Sequence, residues 1–117
     1  IEDYLVRVWE ANFVRRDGND LLAQIQTWMA SDISANERYN GDLTAALGAI
    51  QARAMIMPGN HDLYFTAEDS ERETAAMPNA EFRPIDSIHG HRAGNPTHNR
   101  ADEAVLRTAV AVLLADE

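Results

Sequence analysis

A chain of 117 residues, 45% apolar and 25% charged, has the size and composition of one globular domain with a core of its own. The formal charge of -9 and the scatter of the ten basic residues exclude a phosphate-tracking nucleic-acid surface, and the acidity reads as solubility. The absence of cysteine removes disulfides, thiolate metal sites and a thiol nucleophile, and is compatible with the cytoplasm.

No apolar run approaches the roughly 20 residues of a membrane-spanning helix. The opening Ile1-Glu2-Asp3-Tyr4 is acidic, lacks an initiator methionine and has no signal-peptide character. It reads as a start within a longer polypeptide.

The first fifty residues read as helices. Tyr4, Leu5, Val8, Trp9 and Phe13 recur at helical spacing between Glu2 and about Arg16. Asp17-Gly18 interrupts the pattern, and Asn19 is placed to cap a second helix from Asp20 to about Ala30. Leu21, Leu22, Ile25, Trp28 and Met29 give that helix one broad apolar face. A polar connector, Ser31 to Asn40, leads to Asp42, the cap of a short helix carrying Leu43, Ala46, Leu47 and Ile50.

The character changes near Gln51. Ala54-Met55-Ile56-Met57, closed by Pro58-Gly59, suits a strand buried on both faces. Thr66-Ala67-Glu68-Asp69 has the form of a capping box and opens a helix that ends before Pro78. A second strand is expected from Ala80 to Ile85, and Pro84 places it at an edge or at its end. A polar loop rich in His and Gly follows, Asp86 to His98, and Asn99 with Asp102 starts the last helix. Strand, helix and strand within some thirty residues predict a βαβ unit with parallel strands and a right-handed crossover. Two such strands with two covering helices make no stable sheet by themselves, so further strands are expected on polypeptide outside this chain.

In open parallel sheets, sites form beyond the carboxyl ends of the strands. Gly59-Asn60-His61-Asp62 follows the first strand and His89-Gly90-His91 the second, so Asp62 and one histidine can meet across neighbouring loops. An aspartate bonded to Nδ1 of a histidine fixes its tautomer and stabilises the imidazolium that forms on proton uptake. The competing plain reading makes Asp62 a turn residue and the histidines solvated. A third reading takes Asn60, His61, His89 and His91 as ligands of a binuclear metallophosphoesterase. The Asp-x-His and Gly-Asp-x-x-Asp elements of such sites have no counterpart upstream here.

Several segments carry a resemblance in their order and spacing. They are Asp17-Gly18-Asn19-Asp20-Leu21-Leu22, Thr27-Trp28, Asp32-Ile33-Ser34, Asp62-Leu63-Tyr64-Phe65, Met77-Pro78-Asn79-Ala80-Glu81-Phe82, Ile85-Asp86-Ser87 and Gly90-His91. Together they resemble the homoserine O-acetyltransferase family over nearly the whole chain. The resemblance implies an α/β chain, the C-terminal part of an α/β-hydrolase fold: a helical lid in residues 1–50, then the last two parallel strands and their helices in residues 51–117. It implies Asp62 as the acid and His91 as the histidine of a Ser-His-Asp triad, with the serine upstream. A small-molecule acyl donor, acetyl-CoA among them, and a hydroxyl acceptor are implied as substrates. No metal and no bound cofactor are implied for this chain.

Two departures bear on function. Ser31, Ser34, Ser70 and Ser87 all lack the Gly-x-Ser-x-Gly context of a nucleophile elbow, so the nucleophile is expected on a missing serine-bearing part and the chain alone is expected to be inactive. The family's homoserine-specific members carry Asp directly after the histidine, whereas this chain has Arg92, a cation that would repel the substrate ammonium and is a candidate anion contact. That favours an ester hydrolase of the same fold as the alternative. His61 and His89 read as loop residues beside the pair. Trp9 and Trp28 read as packing residues; their helices could wall an acyl pocket or pair with a second copy as a homodimer.

Overall fold

Side-chain caps start four of the helices, and each sits on extended backbone just before the first helical turn. The computed structural model describes residues 1–95 and 99–115, and its contacts divide the chain into two units, Ile1–Ile33 and Ser34–Glu117.

The first unit is helical. Its first segment, α1, is α-helical over Glu2–Tyr4 and Ala11–Phe13 and π-helical over Leu5–Glu10, where the Ala11 N–H reaches back to the Val6 carbonyl. The regular helix expected up to Arg16 is corrected on two counts, since the middle is wound wider and the segment ends at Phe13. Asn12 Nδ2 donates to the Val8 carbonyl at 2.7 Å and so competes for an acceptor of the regular ladder. The wider turn still brings Trp9 onto Phe13, with ring centroids 5.8 Å apart. The second helix, α2, runs Gly18–Ala30. Its cap is Asp17 rather than Asn19: the Asp17 carboxylate accepts the Asn19 N–H at 2.7 Å, so Gly18 opens this helix. No side chain between Ile1 and Ile33 is buried.

The second unit begins with turns. Ser34, 1% exposed, uses its carbonyl to accept N–H groups from Asn36 and Gly41. Asp42 then caps α3, Leu43–Gly48, through the Ala45 N–H at 2.9 Å. Strand β1, Ala54–Ile56, and strand β2, Ala80–Phe82, pair in parallel with Ala54 opposite Ala80 and Ile56 opposite Phe82. Helix α4, Ala67–Ala75, connects them and packs on both, while α5, Arg100–Leu114, packs on β1. The parallel βαβ unit is thus as expected.

The strand expected to reach Ile85 stops at Phe82, yet pairing continues in broken form. The Arg83 and Ile85 N–H groups donate to Ile56 O at 2.9 Å and Pro58 O at 2.8 Å, and Gly59 bridges Ile85. Pro84, lying between two residues that donate inward, has its missing donor on the side away from β1. Strand β1 is half-buried, not buried on both faces, because it has one paired neighbour and helices supply only part of its cover. Among the described residues the buried apolar side chains are small or few: Ala46, Ile85 and Ala109. No described helix is long and apolar enough to cross a membrane.

Thr66 Oγ1 accepts the Asp69 N–H at 3.2 Å, so Thr66→Ala is expected to destabilise the chain by about 1 kcal/mol in denaturant unfolding. A Cβ on Gly59 would stand 2.7 Å from both the Ala93 Cβ and the Gly90 carbonyl, and neither can swing aside. Gly59→Ala is therefore expected to cost about 1–3 kcal/mol by the same measurement.

Candidate active site

Beyond β1 the chain turns through Gly59 to Asp62, whose N–H bonds the Gly59 carbonyl at 3.0 Å. Asn60 fastens this turn to the segment after β2. Its N–H donates to Ile85 O at 3.0 Å, its Oδ1 accepts the Ser87 N–H at 3.1 Å, and its Nδ2 donates to Asp86 Oδ1 at 2.7 Å. The opposite loop arrives from Ile85, 2% exposed, and closes in a 3-10 turn over Gly90–Arg92. Gly90 has φ +53°, and a Cβ there would lie 3.1 Å from the His61 carbonyl. The two loops touch backbone to backbone at this point, and only glycine combines that φ with that approach.

This crossing brings Asp62 and His91 together. His91 Nδ1 lies 2.9 Å from Asp62 Oδ2, while Asp62 Oδ1 accepts the N–H groups of Tyr64 at 2.8 Å and Phe65 at 3.3 Å. Burial opposes ionisation of Asp62 and is the largest single influence on it. The Tyr64 N–H, the His91 ring, the Phe65 N–H and the His91 charge together outweigh it, and they hold the carboxyl below its ordinary value. Asp62 is therefore an acceptor near neutral pH, so His91 Nδ1 carries the proton and Nε2 is the basic nitrogen.

Exposure divides the pair by role. The Asp62 side chain is 7% exposed and that of His91 52% exposed, so the carboxylate is sheltered and the imidazole is open to solvent. The rings of Tyr64 and Phe65 lie 4.9 and 5.5 Å from the imidazole, tilted by 47° and 40°. One tetrapeptide, Asp62 to Phe65, thus supplies both the polar and the aromatic neighbours of His91. The arrangement can accept a proton from a hydroxyl at Nε2 and stabilise the resulting imidazolium.

The other sequence candidates lie around this pair. Arg92 follows His91 in the same turn and is exposed. His89 donates its N–H to Ser87 Oγ at 3.2 Å, and the His61 carbonyl faces Gly90. Asn60, considered as a metal ligand, has both side-chain atoms engaged in fastening the loops. Among the described residues no three His, Cys, Asp or Glu side chains group as metal ligands would. The end of the polar loop, Pro96 to His98, lies outside the described residues. Sequence reasoning missed the roles of Asn60, Ser87, Tyr64 and Phe65 around the pair. The signal available was proximity in sequence, because each lies within four residues of Asp62 or His91.

No family model matches the chain. It is similar to the ethyl acetate hydrolase of Pseudomonas veronii, 43% identical over 79 residues that make up 68% of this chain and 22% of that protein. It is also similar to a homoserine O-acetyltransferase of Chloroherpeton thalassium, 32% identical over 78% of this chain and 23% of that protein. Among solved structures, the acetyl esterase MekB matches 99% of this chain and 33% of its own, with a TM-score of 0.87 and 34% identity. An acetylester hydrolase from Corynebacterium glutamicum matches 97% and 32%, with a TM-score of 0.82 and 28% identity. The chain spans about a quarter of the length of the curated relatives and about a third of the solved chains. It has the fold of the C-terminal part of an α/β-hydrolase, and it resembles the homoserine O-acetyltransferase family together with acetyl esterases.

Proposed function

We propose that the chain supplies the acid and the histidine of a Ser-His-Asp triad in an acetyl-ester hydrolase, with the serine on sequence outside these 117 residues. The observation that carries the reading is the Asp62–His91 hydrogen bond of 2.9 Å between a sheltered carboxylate and an exposed imidazole. The serine hydroxyl attacks the ester carbonyl as His91 Nε2 takes its proton, and that proton then leaves with the departing alcohol. Water, activated by the same nitrogen, attacks the acetyl-serine and releases acetate. Asp62 holds the imidazole in the productive tautomer throughout and balances its charge.

Transfer of the acetyl group to another hydroxyl acceptor, with acetyl-CoA or an ester as donor, uses the same residues, and the acetyltransferase relative supports it as the second reading. Arg92 bears on the choice. A guanidinium one residue after His91 disfavours an acceptor with an ammonium group, such as homoserine, and suits an anionic or neutral one. Trp9, Phe13, Trp28 and Met29, exposed within residues 1–33, are side chains of the kind that wall an acyl pocket or pair with a second copy in a lid segment.

In the protein carrying the serine, His91→Ala and Asp62→Asn are each expected to lower kcat for p-nitrophenyl acetate by about 10⁴-fold. Unchanged hydrolysis by His91→Ala would sink the triad reading. A loss of activity on chelation alone would favour the metal-dependent one. The lowered Asp62 value also sets a pH dependence of stability. The contribution is fully present above the unfolded carboxylate value of about 3.9 and disappears as pH falls through the lower folded value. The gap in unfolding midpoint between the native chain and Asp62→Asn is expected to close as pH falls into the acid range.

A further inference from the structure

Asp102 takes no part in the reaction proposed above, yet it is 3% exposed in the first turn of α5. Its Oδ2 accepts the Ser87 hydroxyl at 2.7 Å and the Gly94 N–H at 3.2 Å. Its Oδ1 accepts Asn99 Nδ2 at 2.9 Å. Ser87 Oγ in turn accepts the His89 N–H at 3.2 Å. A single carboxylate oxygen thereby holds the loop on both sides of His91, through Ser87 to the backbone two residues before it and directly at Gly94 three residues after it.

The second tie lies where the backbone is tightly confined. Gly94 has φ +79°, and a Cβ there would meet Ile85 Cδ1 at 3.0 Å and Leu106 Cδ1 at 3.3 Å. The loop thus returns to α5 at a place that glycine alone fills without strain. Hydrogen bonds sheltered from water resist exchange with solvent, so these ties restrain the 3-10 turn Gly90–Arg92 that carries His91.

We infer that Asp102 is a positioning residue for His91, acting from the helix behind the loop through Ser87 and Gly94. Its catalytic consequence rests on the reading of His91 as the triad base. Its geometric consequence, the Asp62–His91 hydrogen bond, does not.

The test uses the serine-bearing enzyme with p-nitrophenyl acetate, together with the His91 Nδ1–H resonance in protein with isotopically labelled histidine. Asp102→Ala is expected to lower kcat by about 10²-fold at nearly constant KM and to broaden that resonance through faster exchange. Asp102→Asn keeps an oxygen where Oδ2 stands and is expected to recover most of both. Ser87→Ala removes one tie only and gives a smaller loss, which keeps the inference testable if Asp102→Ala does not fold. A merely structural aspartate would lower the melting temperature while folded Asp102→Asn, Asp102→Ala and Ser87→Ala all kept the native resonance and kcat, and that result overturns the inference. Active His91→Ala would overturn the triad reading instead and leave the resonance as a valid report on the anchoring.

Discussion

The close approach of two backbone loops, with Gly59 against Gly90 and Ala93, is the constraint on which the site depends. Parallel strands of three residues each cannot by themselves aim side chains that lie 29 positions apart in sequence. The register set by Ala54–Ala80 and Ile56–Phe82 is carried forward by the Gly59–Ile85 bridge, and the glycines then let the loops touch. At that separation an aspartate and a histidine span the remaining distance with one hydrogen bond. A side chain at Gly59 would press on Gly90 and Ala93 and force apart the loops that this bond spans.

The interior of the second unit is unusual in what it buries. Asp62, Ser87, Thr74, Ser34 and Asp102 are buried along with the apolar residues Ala46, Ile85 and Ala109, and no buried side-chain polar atom lacks a partner among the described residues. Each such bond contributes about 1 kcal/mol net, so these contacts are modest as sources of stability. Their directional character matters more. Asn60 ties one loop to the other, and Asp102 ties the second loop to its helix. Apolar packing would bring the same segments together without choosing between orientations of His91.

The βαβ unit was legible because each of its parts has a short-range signal. The apolar run Ala54 to Met57 and the Thr66 cap are both local, as is the Asn99 cap of the helix that follows the unit, and the structure forms an element at each. The pairing of Asp62 with His91 was legible through the placement of strand ends and through the family resemblance. What escaped was non-local or locally ambiguous. Asp17 and Asn19 are both good caps, and the choice between them depends on backbone angles that composition does not reveal. The π-helical turn over Leu5–Glu10 leaves an apolar spacing that a regular helix also satisfies. Asp102 reads from sequence as an ordinary acid in a first helical turn, and its partners Ser87 and Gly94 come from a loop without periodicity.

Pro84 gives the sheet a direction. The N–H groups on either side of it, at Arg83 and Ile85, point inward to β1, so the outward position between them offers no donor. A strand approaching along that flank would find its hydrogen-bond ladder broken at the level where the loop toward His91 begins. Lateral addition there is discouraged, whether the newcomer is another part of the same fold or a foreign chain seeking an edge. A ladder on that flank would have to break at Pro84, just before the loop that carries His91.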